Sequence, residues 1–325
     1  MHLTFLLMLP AMDNAPLHIV TGALGYTGRS ITERLLADGI RVRTLTNSPN
    51  RPNPFGDRLD IHPLAFDNPA ALERSLAGAD TLFNTYWVRF NHRLFTFAQA
   101  VENTRRLFDA AKRAGIRRIV HVSILHADKA DDLGYYKGKH ELEDALRATG
   151  IPHAIVRPGV LFGRGDILVN NIAWVLRRLP VFGVFRDGAY RLRPLHVDDM
   201  AHLMLDHARR TDNTVVDAVG PEAFTYRDLV RTIAGIIGVS RPIVRVSPAL
   251  GHAVASALNP FLKDVIITRE EIAGLMRGLL DSTAPPAGPT RLTDWARQHR
   301  NALGTKYASE VGRRIHRDRA YAEIP

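Results

Sequence analysis

Three glycines, Gly22, Gly25 and Gly28, stand three residues apart in "TGALGYTGR" (21–29). Each costs backbone entropy that another residue would spare, so the stretch marks a place that needs bare backbone. Phosphate binding is a chemistry with that need. Gly22 would allow a tight turn, Gly25 would let the backbone touch a pyrophosphate, and Gly28 would let a helix sit close on a strand. The free N–H groups and positive dipole of the helix amino terminus would then face the phosphates. Leu24, Tyr26 and Thr27, between the glycines, are read as cofactor-binding with them.

The flanks fit that reading. "LHIVT" (17–21) is a short apolar run, as a buried strand requires. "RSITERLLADG" follows, with Ile31, Leu35 and Leu36 at helical spacing and Gly39 as its stop. Further strands are expected at "RVRTLT", "DIHPLAF", "DTLFNTYW", "IRRIVHVSI" and "PHAIVRPG". Helices fall between them at "NPAALERSLAGA", "LFTFAQAVENTRRLFDAAKRAG" and "YYKGKHELEDALRATG". Strict alternation implies an α/β fold, a doubly wound parallel sheet covered on both faces. Residues 17–157 are read as this dinucleotide-binding domain, after an extension at 1–16. Residues 158–283 are read as a smaller, mostly helical substrate-binding part, with helices near 197–209, 225–237 and 248–258 and some segments returning to the first domain. A pocket is expected between the two, at the carboxyl ends of the strands.

The chain has 325 residues, of which 46% are hydrophobic, so a full core is available. It has no cysteine, which excludes disulfides, thiolate ligands and a cysteine nucleophile. The net charge is +10. From Ala284 onward eight Lys/Arg face four Asp/Glu; this segment, 284–325, is read as a solvated, basic helical tail, since no nucleic-acid motif accompanies it. "MHLTFLLMLPAM" is too short to span a bilayer and makes a poor signal peptide, and Met12 is an alternative start. A cytoplasmic protein with no membrane span and no nucleic-acid partner is expected.

"TGALGYTG", "HVSI", "YYKGK", "IVRPGVLFG" and "LHVDDMA" occur in the order found in the extended and atypical short-chain dehydrogenase/reductases. The chain resembles that superfamily over roughly residues 17–240. "NTYWVRF", "GDILVNNIAW" and "TDWARQHRNALGTKYASE" look closest to an atypical branch that includes the Rossmann-fold accessory subunit of respiratory complex I and epimerase-like proteins. The resemblance implies a Rossmann fold and a nicotinamide dinucleotide. NAD-preferring members carry an acid after the second strand; here Asn47, Ser48 and Arg51 stand there instead. NADP is therefore favoured over NAD, with Arg51 either on the 2′-phosphate or in solvent. Asp67 resembles the acid that contacts adenine; otherwise it caps the next helix. Asn84 and Thr85 are expected beside the cofactor, and Trp87 lines the pocket or packs.

Tyr135 and Lys139 match the superfamily's Tyr-x-x-x-Lys pattern. Four residues place both on one helix face, where an ammonium would lower the pKa of the phenol. Lys139 would also hold the nicotinamide ribose. Ser123 resembles the serine that binds the substrate oxygen. Only twelve residues separate Ser123 from Tyr135, a spacing typical of atypical members, and Tyr136 competes for the cofactor-facing position. His121, His126 and His140 lack metal-site spacing, and no metal is expected. His196, Asp198 and Asp199 resemble a segment that positions the covering helix; Arg191 and Arg193 meet an anionic substrate or lie at the surface. The function implied is an NAD(P)-dependent oxidoreductase acting on a carbonyl or alcohol of a small molecule. An NAD-dependent sugar-nucleotide epimerase or dehydratase and a non-catalytic NAD(P)-binding sensor or assembly protein are the alternatives.

Overall fold

The run Leu17–Thr21 (β1) is central in a seven-stranded sheet. On one side lie Arg41–Thr46 (β2) and Leu59–Pro63 (β3). On the other lie Thr81–Asn84 (β4), Arg118–Val122 (β5), His153–Pro158 (β6) and Thr214–Ala218 (β11). Every neighbouring pair is parallel. This computed structural model describes residues 15–321. The apolar amino-terminal stretch and its two candidate starts lie outside the described residues, as do the last four residues.

The sheet explains why its strands read as unbroken apolar runs. Successive side chains point to opposite faces, and both faces are covered. Val20 packs with Ile31 and Leu35 of α1 (Tyr26–Ala37) and Met200 and Met204 of α6 (Val197–Ala208). Its neighbour Ile19 packs on the far side. There it meets Leu72 of α2 (Pro69–Leu76), Leu107 of α3 (Phe97–Arg113), and Leu142 and Leu146 of α4 (Gly134–Thr149). Strand order reverses between β1 and β4, where such sheets leave a crevice at their carboxyl ends. The fourth strand stops at Asn84, short of Trp87, because the Thr85 N–H donates to Thr21 Oγ1 (2.7 Å) and turns the chain out of the sheet.

A second core joins α5 (Leu168–Arg178), α7 (Tyr226–Ile236) and α10 (Leu292–Gln298) through Ile172, Leu176, Leu229, Ile233, Leu292 and Ala296. Three short ladders frame it: Leu161–Phe162 (β7) with Leu195–His196 (β10), Phe182–Phe185 (β8) with Ile243–Val246 (β13), and Arg191–Leu192 (β9) with Phe224–Thr225 (β12). Helices α8 (Pro248–Leu262) and α9 (Arg269–Met276) follow β13. No helix of the described residues is long and apolar enough to cross a membrane.

The basic carboxyl-terminal segment is not a solvated helix. Two short helices, α10 and α11 (Glu310–Ile315), are joined by a loop pinned to the body of the protein. Arg177 and Arg178 of α5 donate to the carbonyls of Arg300, Leu303, Gly304 and Thr305. The buried Asp264 carboxylate accepts the Tyr307 hydroxyl (2.9 Å) and the N–H groups of Glu310 (3.2 Å) and Val311 (2.9 Å). Within the segment, Arg314 Nη2 donates to the Trp87 carbonyl (3.1 Å) and Arg317 Nη1 to that of Asn47 (3.2 Å), so part of its positive excess holds backbone carbonyls.

Candidate functional site

The glycine loop has the geometry its spacing implies. Gly22 sits at φ +69°, a left-handed conformation that suits glycine. Its N–H donates to the Leu45 carbonyl (2.9 Å), and its own carbonyl accepts the Gly25 N–H (2.8 Å). Thr44 Oγ1 accepts the Ala23 N–H (3.0 Å) and locks the loop to β2. A Cβ on Gly28 would run into the Gly22 carbonyl, so this glycine is what lets α1 sit on β1. A Cβ on Gly25 would lie 3.1 Å from the same oxygen, at the helix N-cap. No side chain caps α1, so its first N–H groups remain for a ligand.

Leu24 is buried under the loop; Tyr26 and Thr27 open α1. Asn84 is fully buried. Its Oδ1 accepts Thr21 Oγ1 (3.1 Å) and the Tyr86 N–H (3.1 Å), while Nδ2 meets His121 Nδ1 (3.0 Å). Thr85 Oγ1 donates to the Thr21 carbonyl (2.6 Å). These residues tie β1, β4 and β5 together on the floor of the crevice. Asp67 lies in solvent against Arg106 (3.3 Å), and the cap of α2 is Asn68.

The end of β2 meets the carboxyl-terminal segment. Ser48 donates its N–H to Thr46 Oγ1, and the Asn47 carbonyl accepts Arg317 Nη1 (3.2 Å). Arg51 does not point to solvent: it is buried, with Nη2 donating to the Arg313 carbonyl (2.7 Å). The guanidinium groups of Arg51 and Arg313 lie 5.5 and 4.2 Å from the centre of the Tyr321 ring. Burial pulls the pKa of Arg51 down. Arg51 Nε, Arg313 Nε and Tyr26 OH are buried with no partner among the described residues. A cleft of about 480 Å³ opens alongside, lined by Gly25, Tyr26, Arg29, Arg164, His196 and Tyr321 among others. The bare start of α1 lines this cleft together with Tyr321, the ring on which Arg51 and Arg313 rest, an arrangement that fits the phosphates of a dinucleotide.

The expected proton relay is arranged differently. Tyr135 and Lys139 do share a face of α4, but the Trp87 indole lies between them. Lys139 Nζ is 4.6 Å from the indole centre, and the Tyr135 ring meets the indole edge-on at 5.7 Å. Phe97 stacks on the indole (5.9 Å) and also meets the Tyr135 ring edge-on (5.8 Å). The bare Gly138 admits this wedge; a Cβ there would come within 2.7 Å of Trp87. Lys139 Nζ donates instead to the Val122 carbonyl (2.7 Å), and burial brings its pKa down to about 7. Burial pushes the Tyr135 pKa up, the reverse of what an adjacent ammonium would do. Tyr136 turns away into a cluster with Ile124, Leu133 and Leu279, and its pKa rises to about 12 by burial.

Ser123 is likewise committed. Its hydroxyl donates to Glu143 Oε1 (2.6 Å), and Glu143 is fully buried against Arg157, with Nε at 2.8 Å and Nη2 at 2.6 Å. Glu143 and Arg157 escaped the sequence reading, although Glu143 stands four residues after Lys139. Arg313 and Tyr321 escaped it because the tail read as solvated. Arg193 bonds the carbonyls of Gly220, Ser282 and Ala284, and Arg191 pairs with Asp281 (2.9 Å), so both serve the frame. His196 caps α6, Asp198 lines the cleft, and Asp199 holds the N–H and hydroxyl of Thr290. His121, His126 and His140 go to three separate partners.

Residues 22–167 match the NAD(P)H-binding family. A ceramide reductase of Caulobacter vibrioides is 28% identical over 252 residues, 76% of this chain and 78% of that one. The mitochondrial NADH-ubiquinone oxidoreductase 40 kDa subunit of Neurospora crassa is 27% identical over 263 residues, 78% of this chain and 68% of that one. Among solved structures, the Citrobacter sp. triphenylmethane reductase complexed with NADP(H) superposes with a TM-score of 0.71 at 15% identity. It covers 86% of this chain and 99% of that one. The chain is an NAD(P)-binding Rossmann-fold protein. Its relatives and its fold are similar to those of the atypical short-chain dehydrogenase/reductases.

Proposed function

We propose that the chain is an NADPH-dependent reductase of a small molecule that does not use Tyr135 as its proton donor. The observation that carries the cofactor half is the glycine loop on a cleft whose wall residue Tyr321 is backed by Arg51 and Arg313, each with an unsatisfied buried Nε. Gly25 and the first turn of α1 would hold the pyrophosphate, and Arg51 with Arg313 a further phosphate, which favours NADP over NAD. When bound, the reduced nicotinamide would supply a hydride. Lys139 would orient the ribose if its Nζ leaves the Val122 carbonyl. The relatives named as reductases support this reading over an epimerase.

A second reading, nucleotide binding without turnover, is favoured by the Trp87 wedge itself. The two readings part on one experiment. NADPH and NADH are titrated by calorimetry, and NADPH oxidation is then followed against a panel of carbonyl compounds. Turnover that survives Tyr135→Phe supports the first reading. Tight NADPH binding with no turnover supports the second. Failure to bind either nucleotide overturns both.

A further inference from the structure

We infer that helix α8 is a membrane-docking element that lays its outer face on an anionic lipid surface. The helix spans Pro248–Leu262, and its sequence contains no Asp, Glu, Lys or Arg. Leu250, Val254, Leu258 and Phe261 are 56, 54, 37 and 83% exposed. Spacings of four, four and three residues put them in one stripe on a helix of 3.6 residues per turn. Ala249, Ala253, Ala257 and Pro260 widen that face, and Ala255 alone is fully buried. A helix that faces water carries charge on its outer side; α3 does, with Glu102, Arg105, Arg106 and Lys112. On α8 this order is inverted, and an apolar face of this kind marks an interaction site.

The charges at its ends select the occupant. Exposed Arg245 precedes the helix on β13, with exposed Arg186 on the paired strand's end; Lys263, also exposed, closes it. Asp187 is an exposed acid near the first end, and Asp264, after Lys263, turns inward to the carboxyl-terminal segment. Apolar side chains flanked by cations suit acyl chains beneath anionic headgroups. A second copy of the chain fits less well. Antiparallel pairing of two α8 helices would set Lys263 beside Arg245, and parallel pairing would set Lys263 beside Lys263. The net charge of +10 favours the lipid in the same direction.

The test is co-sedimentation of the full chain with vesicles of phosphatidylcholine, alone or mixed with phosphatidylglycerol. Binding is expected to the mixed vesicles and to weaken with salt. The double variant V254E/F261E should lose roughly tenfold or more of the partition coefficient while keeping the parent's circular dichroism and melting temperature, since these side chains are 54 and 83% exposed. Lys263→Glu should weaken binding to the mixed vesicles only. A parent that ignores both vesicles overturns the inference, and equal binding to both overturns its anionic part. A chain begun at Met12 should bind as the parent does; if it does not, the apolar amino-terminal stretch is the anchor. A parent dimer that V254E/F261E converts to monomer in sedimentation equilibrium would make the face an interface between copies.

Discussion

Gly25 and Gly28 separate binding from folding. Gly25 has extended backbone angles (φ −95°, ψ −166°), which a β-branched residue adopts readily. Gly25→Val should therefore stay folded, with a small loss of stability because its Cβ would lie 3.1 Å from the Gly22 carbonyl, and lose nucleotide affinity, because its side chain would take the pyrophosphate's place. Calorimetry on a variant of unchanged circular dichroism checks this; retained affinity removes the loop from the cofactor site. Gly28→Ala should do the opposite, pushing α1 off β1 at a cost of about 1–3 kcal/mol, read as a lower urea midpoint. Arg51→Ala and Arg313→Ala should each weaken NADPH roughly ten- to a hundredfold and NADH much less. Tyr135→Phe is the sharpest of these tests. Under the proposed function it changes turnover by less than about threefold. A loss of roughly two to four orders of magnitude, the worth of a placed acid–base group, would show that the Trp87 wedge opens during catalysis.

Two element-scale contacts shape the site: the loop after β4 against α4, and α11 against the body of the protein. Trp87 reaches between Tyr135 and Lys139 only because Gly138 is bare. Gly138→Ala should displace the indole, shift tryptophan emission and cost about 1–3 kcal/mol; an unshifted spectrum would show that the indole has room to move. What could be read from sequence follows from range. Strands β1 to β6 and the helices between them announce themselves within a dozen residues each, through apolar runs and glycine stops such as Gly39 and Gly115. The glycine loop is equally local, and its turn is legible before any contact is known. The wedge is not legible, because residue 87 meets residues 97, 135 and 139 only once the sheet is built. The tail is harder still. Its anchors Asn170, Asn171, Arg177, Arg178 and Asp264 lie 43 to 137 residues from the groups they hold, so basic composition alone suggested a segment in water.

The whole molecule's response to pH isolates one buried group. Burial lowers the pKa of His18, His121, His153, His196 and His207. The unfolded chain therefore binds more protons than the native one as pH falls through the histidine range, and stability drops on that side. Burial raises the pKa of Tyr26, Tyr135, Tyr190, Tyr226 and Tyr307. Above about pH 10 the unfolded tyrosines ionise first, and stability drops on that side too. Between these limits Lys139 stands apart. Its pKa is about 7 in the native protein and about 10.4 in an unfolded chain. Across this interval the unfolded state holds a proton that the native state has lost, so stability rises with pH. Urea unfolding between about pH 7.5 and 9.5 should show that rise in the parent protein. Lys139→Met, which keeps the length of the side chain without the charge, should flatten it and raise stability most at the lower end. A parent whose stability is level over this window would mean that Lys139 keeps its proton in the native state, held by its partner Glu143 and by the Val122 carbonyl.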